Sequence, residues 1–235
     1  MRLLLAAILL VQAAPAQSEA DKVEAALKRI GERKYRLYSL GKESGSCTLK
    51  TTLEKDGDGK VAVFEDRNEG ESEVVIEKAA LPALTLRSIT IKDLQGRFIA
   101  VATVRDGKAD VQTADERKTV DVTPSTLGLS AMFRLLCLKP QEVGTTFKID
   151  ILIPGHFLLK DNTFRCAAKE SVEIGGAKLD AFRWDHTAQR SVDTPEGTRT
   201  LSLANSYWIG TEGYMLRFTA KQQDRVVKEM RYEPR

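Results

Sequence analysis

From Tyr35 onward the chain alternates apolar and polar positions with a period of two. Phe147, Ile149, Ile151 and Ile153 alternate with Thr146, Lys148 and Asp150. Tyr214, Leu216 and Phe218 alternate with Arg217 and Thr219. Phe98, Ala100, Ala102 and Val104 alternate with Ile99, Val101 and Thr103, a pattern apolar on both faces that predicts a central strand. A period of two places successive side chains on opposite faces of a sheet, so each run predicts a strand. Turn signals punctuate the runs: Asp56-Gly57-Asp58-Gly59, Gln95-Gly96, Asp106-Gly107, Gly175-Gly176, Glu196-Gly197 and Glu212-Gly213. Glycine at such points supplies the positive φ that tight hairpins need. Hairpins in succession predict an antiparallel meander. The helical crossovers that parallel strands require are not expected.

Two stretches break the period. Ser18 to Ile30 reads as a helix: Ser18 is placed to cap it, Val23, Ala26, Leu27 and Ile30 share one face, and Gly31 stops it. Such a helix would cover an edge or end of the sheet. Ser125 to Leu138 reads as a second helix. Thr123 stands as N-cap, Pro124 at the first helical position, and Pro140 closes it. Leu127, Met132, Phe133 and Leu136 leave it apolar nearly all round, so burial on two sides is expected, against the concave side of a curved sheet. The resulting expectation is a mostly β fold: a single curved antiparallel sheet, half-barrel or open barrel, with an N-terminal helix and one apolar helix packed against it.

The first residues follow another logic. Arg2 precedes the apolar run Leu3 to Val11, and Ala14-Pro15-Ala16 fits the small-x-small rule of signal peptidase. The run is too short for a transmembrane helix, which needs about 20 apolar residues. Residues 1–16 are therefore expected to be a signal peptide cut after Ala16, leaving residues 17–235 as one β-rich domain, soluble in the periplasm or secreted. A lipoprotein signal would place a cysteine at the cut, and the first cysteine is Cys47. No later segment is apolar enough to span a membrane as a helix.

Charge narrows the function classes. The chain carries 36 basic and 33 acidic residues, interleaved and not blocked. Nucleic-acid binders show a basic stripe, so no nucleic-acid partner is expected. Three cysteines, Cys47, Cys137 and Cys166, are too few for a disulfide framework. Cys47 and Cys166 lie in strand-like segments where one bridge is open, whereas Cys137 reads as a packing residue in Leu135-Leu136-Cys137-Leu138.

Candidate chemistry is sparse. Glu54 to Glu65 matches a calcium loop in part, with acids at its first, third and fifth positions, Gly59 at the sixth and Glu65 at the twelfth. Glutamate fits the tight first position poorly, and the flanks look like strands, so a solvated hairpin tip is the simpler reading. His156 follows Pro154-Gly155 in a turn, and His186 ends the run Phe182-Arg183-Trp184-Asp185. Neither has metal-ligand spacing around it. Neither a nucleophile elbow nor a phosphate loop is present. No metal, cofactor or catalytic residue is assigned. Trp184, Tyr207, Trp208, Tyr214 and Phe218 gather in the last third and read as core anchors, with a pocket lining as the alternative.

The order of these elements resembles a known family. An apolar helix (Ser125 to Leu138) precedes Glu142-Val143-Gly144-Thr145-Thr146-Phe147. Then come Lys169-Glu170-Ser171-Val172-Glu173-Ile174-Gly175-Gly176 and Tyr207-Trp208-Ile209-Gly210-Thr211-Glu212-Gly213-Tyr214-Met215-Leu216-Arg217. Over about residues 120–220 this is similar to exported bacterial β-proteins related in fold to the lipoprotein carriers LolA and LolB. The resemblance implies a half-barrel with a helix on its concave side, where such carriers hold acyl chains. It carries over no functional residue. Three readings follow: an exported binding module for an apolar or lipid-like ligand or an envelope partner; a structural or interaction protein with a solid core; and an enzyme whose residues are scattered around His156 or His186.

Overall fold

The computed structural model describes residues 18–155, 157–194, 197–222 and 225–234. Residues 1–16, with the expected cleavage site, lie outside these, as do His156 and Glu196. The first helix, α1 (Glu19–Ile30), begins where its sequence dictates. The Ser18 hydroxyl accepts from the Asp21 N–H at 3.1 Å, and Gly31 ends the helix at φ 53°. Leu27 and Ile30 turn into the core.

A first meander then runs β1 (Glu32–Ser39), β2 (Lys42–Asp56), β3 (Gly59–Asn68), β4 (Glu73–Ala80), β5 (Thr85–Asp93), β6 (Phe98–Arg105), β7 (Lys108–Thr113) and β8 (Arg117–Asp121). A two-residue strand, β9 (Thr126–Leu127), leads into α2 (Leu129–Leu138). The second meander is β10 (Thr146–Ile153), β11 (Phe157–Ile174), β12 (Ala177–Thr194), β13 (Gly197–Gly210), β14 (Met215–Gln222) and β15 (Arg225–Tyr232). Every predicted glycine turn whose residues are described joins two adjacent strands. Turns without that signature do the same, as at Leu40-Gly41, where both residues take positive φ, 50° and 80°.

The two meanders join through their outermost strands. β1 pairs antiparallel with β15, Tyr35 opposite Tyr232 and Leu37 opposite Met230. Among the described residues the result is one 15-stranded sheet whose edges are β8 and β9. It is curved and does not close. The strands that lie near those edges nevertheless meet through side chains. Leu152 and Leu158 of the second meander pack against Ile89, Ala102 and Val111 of the first. A Cβ on Gly155 would lie 3.0 Å from Thr113 Cγ2. Small inward residues, Ala62, Ala79, Ala100, Ala102 and Ala109, let the layers approach closely. Past His186, β12 pairs only with β13, as far as Thr194 opposite Gly197, so this hairpin extends beyond its neighbours as a two-stranded arm.

Three expectations are corrected. The second helix starts at Leu129, not Ser125, and its N-cap is Gly128, with no capping side chain of its own. Thr126 and Leu127 are drawn into β9, opposite Asp150 and Ile151, and Thr123 bonds Asp150 Oδ2 at 2.9 Å. A helical crossover does exist: β9 runs parallel to β10, and α2 is the connection between them. β6 is apolar inward only, since Ala100 and Ala102 are buried while Ile99 faces outward and is 42% exposed.

The seam accounts for a measurable share of stability. Leu152→Ala is expected to cost about 2–4 kcal/mol, as large-to-small changes in packed cores do, in urea unfolding. A loss no larger than that of exposed Leu40→Ala would show that the packing of the second meander against the first contributes nothing to stability.

Candidate functional site

The concave side of the sheet is filled by α2, and two polar anchors fix the helix there. The first four N–H groups of a helix have no partner within it, and Gly128 offers no side chain to cap them. Glu77 of β4 supplies the acceptors. Its Oε1 accepts from Gly128 N at 2.8 Å and its Oε2 from Ala131 N at 3.0 Å. The contact depends on Gly128, because a Cβ there would collide with the Glu77 carboxylate and lie 2.9 Å from Ile89 Cδ1. A carboxylate at this end also meets the positive pole of the helix dipole. Burial still dominates, and pushes Glu77 up to about 7 despite both hydrogen bonds.

The second anchor stands one turn further on. Arg134 is 2% exposed. Its Nε donates to Thr51 Oγ1 at 3.2 Å, Nη1 to Asp66 Oδ2 at 3.0 Å and Ser130 O at 3.2 Å, and Nη2 to Lys50 O at 3.1 Å. Nη2 also lies 2.7 Å from Asp66 Oδ1, an ion pair by distance that is not aligned as a hydrogen bond. The guanidinium sits over the Phe64 ring at 5.2 Å. Burial opposes its charge, and the attraction of Asp66 outweighs that, so Arg134 is held above its ordinary range. A buried ion pair adds little net stability, yet breaking one costs about 3–5 kcal/mol. These anchors therefore set where α2 sits more than they strengthen the core.

Around the other flank of α2 the lining is aromatic. Phe133 lies 6.0 Å from both Tyr207 and Phe218, ring centre to ring centre. Phe147 stacks on Phe164 at 5.1 Å and meets Trp184 edge-on at 5.5 Å. Trp184 and Tyr207 are thus core anchors, as expected. Trp208 points to the outer face, where its Nε1 donates to Glu170 at 2.6 Å.

His186 is built into this lining. It stacks on Phe164 at 4.3 Å between two amides. Asn162 commits its Nδ2 to the carbonyls of Ile149 and Leu159, so its Oδ1 faces His186 Nε2 at 3.1 Å and requires a proton there. Nδ1 then accepts from Asn205 Nδ2 at 3.3 Å. Both ring nitrogens are spent on a neutral ring, and burial takes His186 down to about 4. Neither amide is an acid or base that could activate it. His156 lies outside the described residues.

The other sequence candidates are dispersed. Cys47, Cys137 and Cys166 are free thiols, so the Cys47–Cys166 bridge is not formed. Burial pushes all three up, Cys137 to about 12, which disfavours a reactive thiolate. The calcium pattern is pulled straight by the hairpin. Asp56 pairs with Gly59 at the turn, whereas Glu65 stands six positions back, opposite Lys50. At 3.3 Å per residue that is roughly 20 Å, and Glu54 bonds Lys78 at 3.0 Å instead.

Sequence reasoning passed over Glu77, Arg134 and Asp66. Two signals were legible: one cation inside an otherwise apolar decamer, and a carboxylate at the inward position between Val75 and Ala79. Their pairing was not, because it joins β2, β3, β4 and α2.

No protein-family model and no curated protein matches the chain. Among solved structures it is similar to a β-barrel-like protein of a domain of unknown function from Brucella abortus, at 12% identity and a TM-score of 0.46, covering 86% of this chain and 94% of that one. It is also similar to the hypothetical lipoprotein YmcC from Escherichia coli, at 14% identity and a TM-score of 0.33, covering 94% and 99%. The lipoprotein LppX from Mycobacterium tuberculosis matches at 9% identity and a TM-score of 0.25, covering 92% and 91%. These are distant resemblances of the kind the sequence pattern led us to expect, and nothing about ligand or activity follows from them.

Two interior titratable groups, Glu77 and His186, act in opposite directions with pH. Glu77 is raised from 4.5 to about 7, so its contribution is complete below pH 4.5 and lost as pH rises through 7. His186 is lowered from 6.5 to about 4, so its contribution is complete above pH 6.5 and lost as pH falls through 4. Each amounts to something on the order of 3 kcal/mol. Between pH 4.5 and 6.5 they offset each other. Urea unfolding of Glu77→Gln should therefore show stability climbing across that window, and His186→Asn should show it falling. Unchanged profiles in both would mean that neither group is sealed.

Proposed function

We propose that this chain is an exported binding module whose concave side receives an apolar or lipid-like chain when α2 gives way. The observation that carries the reading is the nature of the filling. An unclosed sheet lined by Phe64, Phe164, Trp184, Tyr207 and Ile209 is occupied by an apolar helix and not by side chains of a second sheet. That helix connects the edge strand β9 to its neighbour β10 and is fixed by Glu77 at its N-terminal turn and by Arg134 one turn further on. Its own apolar surface, with Met132 and Leu136 buried, already makes the contacts that an acyl chain would make. Among the described residues no helix is long and apolar enough to cross a membrane. Residues 1–16 support export by their three-part pattern alone.

A solid-core interaction protein is the second reading, and one observation favours it: as the structure stands, α2 occupies the interior. Binding of the dye N-phenyl-1-naphthylamine separates the two. The carrier reading expects saturable dye binding by the mature chain, and lipid in organic extracts of protein purified after export. Leu136→Ala, which empties space beside the helix at a cost of about 2–5 kcal/mol, should raise dye affinity several-fold. No lipid and no saturable dye binding, by wild type or variant, would leave the solid-core reading. N-terminal sequencing of the exported protein should begin at Gln17; an intact Met1 would overturn the cleavage assignment.

A further inference from the structure

The outer face of the sheet carries a feature that only the strand register reveals. Tyr35 and Leu37, Met230, Phe218, Tyr207 and Trp184 point inward, so their sequence neighbours Arg36, Arg231, Arg217, Trp208 and Arg183 point outward. The register places these directly opposite one another. Arg36 faces Arg231, Arg231 faces Arg217, Arg217 faces Trp208, and Trp208 faces Arg183. One transverse row thus sets three arginines side by side on β1, β15 and β14. Like charges directly opposite are destabilising, so a run of three calls for a reason beyond folding.

The row is balanced and stiffened from its sides. Arg217 Nε and Arg231 Nε share Glu229 Oε1 at 2.6 and 2.8 Å, and Arg231 Nη2 reaches Glu229 Oε2 at 2.9 Å. Arg36 binds Glu233 Oε1 through Nε and Nη2. Arg217 lies 5.0 Å over Trp208, and Arg231 lies 4.7 Å over Tyr38. Stacking and ion pairing hold each guanidinium in a fixed plane. Among the described residues both Nη atoms of Arg217, and Nη1 of Arg231, have no protein partner. Glu229, only 7% exposed, is covered by the arginines it balances.

The same row floors a cleft. The β11–β12 hairpin tip curls toward the chain end, so that Val172, Ile174 and Leu216 are buried with Tyr214 and Tyr232. Gly175 and Gly176 make the turn at φ 59° and 83°, and a Cβ on Gly175 would lie 3.5 Å from Pro234. The cleft between tip and floor measures about 760 Å³ and is open to the exterior. Arg36, Arg217, Arg231 and Glu233 line it together with Tyr38, Tyr232 and Pro234, and the hairpin tip Glu173 to Gly176 completes the lining.

We infer that this cleft is a site for a small ligand carrying a phosphoryl group, held between Arg217 and Arg231 with Arg36 closing one side. Arginines on adjacent strands stand roughly 5 Å apart, close enough to grip different oxygens of one tetrahedral anion. Guanidinium forks suit such oxyanions, and each charge-assisted bond is worth about 1.5–3 kcal/mol, tenfold or more in affinity. The site lies on the opposite face of the sheet from α2 and does not rest on the interior binding reading.

The test is calorimetric titration of the mature chain with inorganic phosphate, sn-glycerol 3-phosphate, and vesicles of phosphatidylglycerol in phosphatidylcholine, at low and high ionic strength. Saturable binding of the two soluble phosphates is expected. It should weaken at high salt and fall about tenfold in Arg217→Gln and in Arg36→Gln, while Arg217→Lys should recover only part of it. Arg36 is half exposed, so its variant is expected to fold, which unfolding curves would verify. Absence of soluble-phosphate binding would overturn the proposal, as would equal affinity in wild type and both glutamine variants. Vesicle binding without soluble-phosphate binding would replace the site with a general attraction to anionic surfaces.

Discussion

The pairing of the first strand with the last is the constraint on which the rest of this molecule depends. β1 against β15 turns two separate meanders into one sheet and moves both sheet edges to the middle of the chain. β8 and β9 are then neighbours in sequence, and the segment that follows β9 starts from a sheet edge. That is why α2 is the element that enters the concave side. The seam itself closes through Leu152, Leu158 and the small inward residues of the facing strands, so side-chain packing completes what hydrogen bonding leaves open.

Within that frame the interior uses few charges, and each has a positional task. Glu77 stands where α2 has no cap of its own, and Arg134 finds in Asp66, Thr51, Lys50 and Ser130 an acceptor for each of its donor groups. Replacing the Arg134–Asp66 pair as a whole by apolar residues of similar size would cost little net stability, whereas removing one partner strands the other; what Glu77 and Arg134 provide is one position and one rotation of a helix that is otherwise largely apolar. His186 contrasts with them: locked neutral between Asn162 and Asn205, it behaves as part of the aromatic wall.

What the sequence reveals about this fold is what is local. α1 is legible from end to end because Ser18, its apolar face and Gly31 all act within a dozen residues. The glycine hairpins are legible for the same reason. The start of α2 is not, because its cap comes from Glu77, fifty-one positions away, and because Thr126 and Leu127 are claimed by a strand that has yet to appear in the sequence. The calcium pattern in Glu54 to Glu65 misleads in the opposite way, since its spacing suits a coiled loop while its Val61-Ala62-Val63-Phe64 core prefers a strand. The arginine row is invisible along the chain: Arg36, Arg217 and Arg231 acquire meaning only when three strands are laid side by side.

The union of the chain's two ends bears on how the molecule comes to be folded. Tyr35 and Tyr232 are separated by nearly the whole chain, and contacts so distant in sequence slow folding because a large loop must be closed before they repay it. The sheet cannot take its final order while the last strand is still being made. Under the export proposed above, a chain that must thread through a membrane channel in extended form gains from such a delay, because the lock that would make it too wide to pass is delivered last.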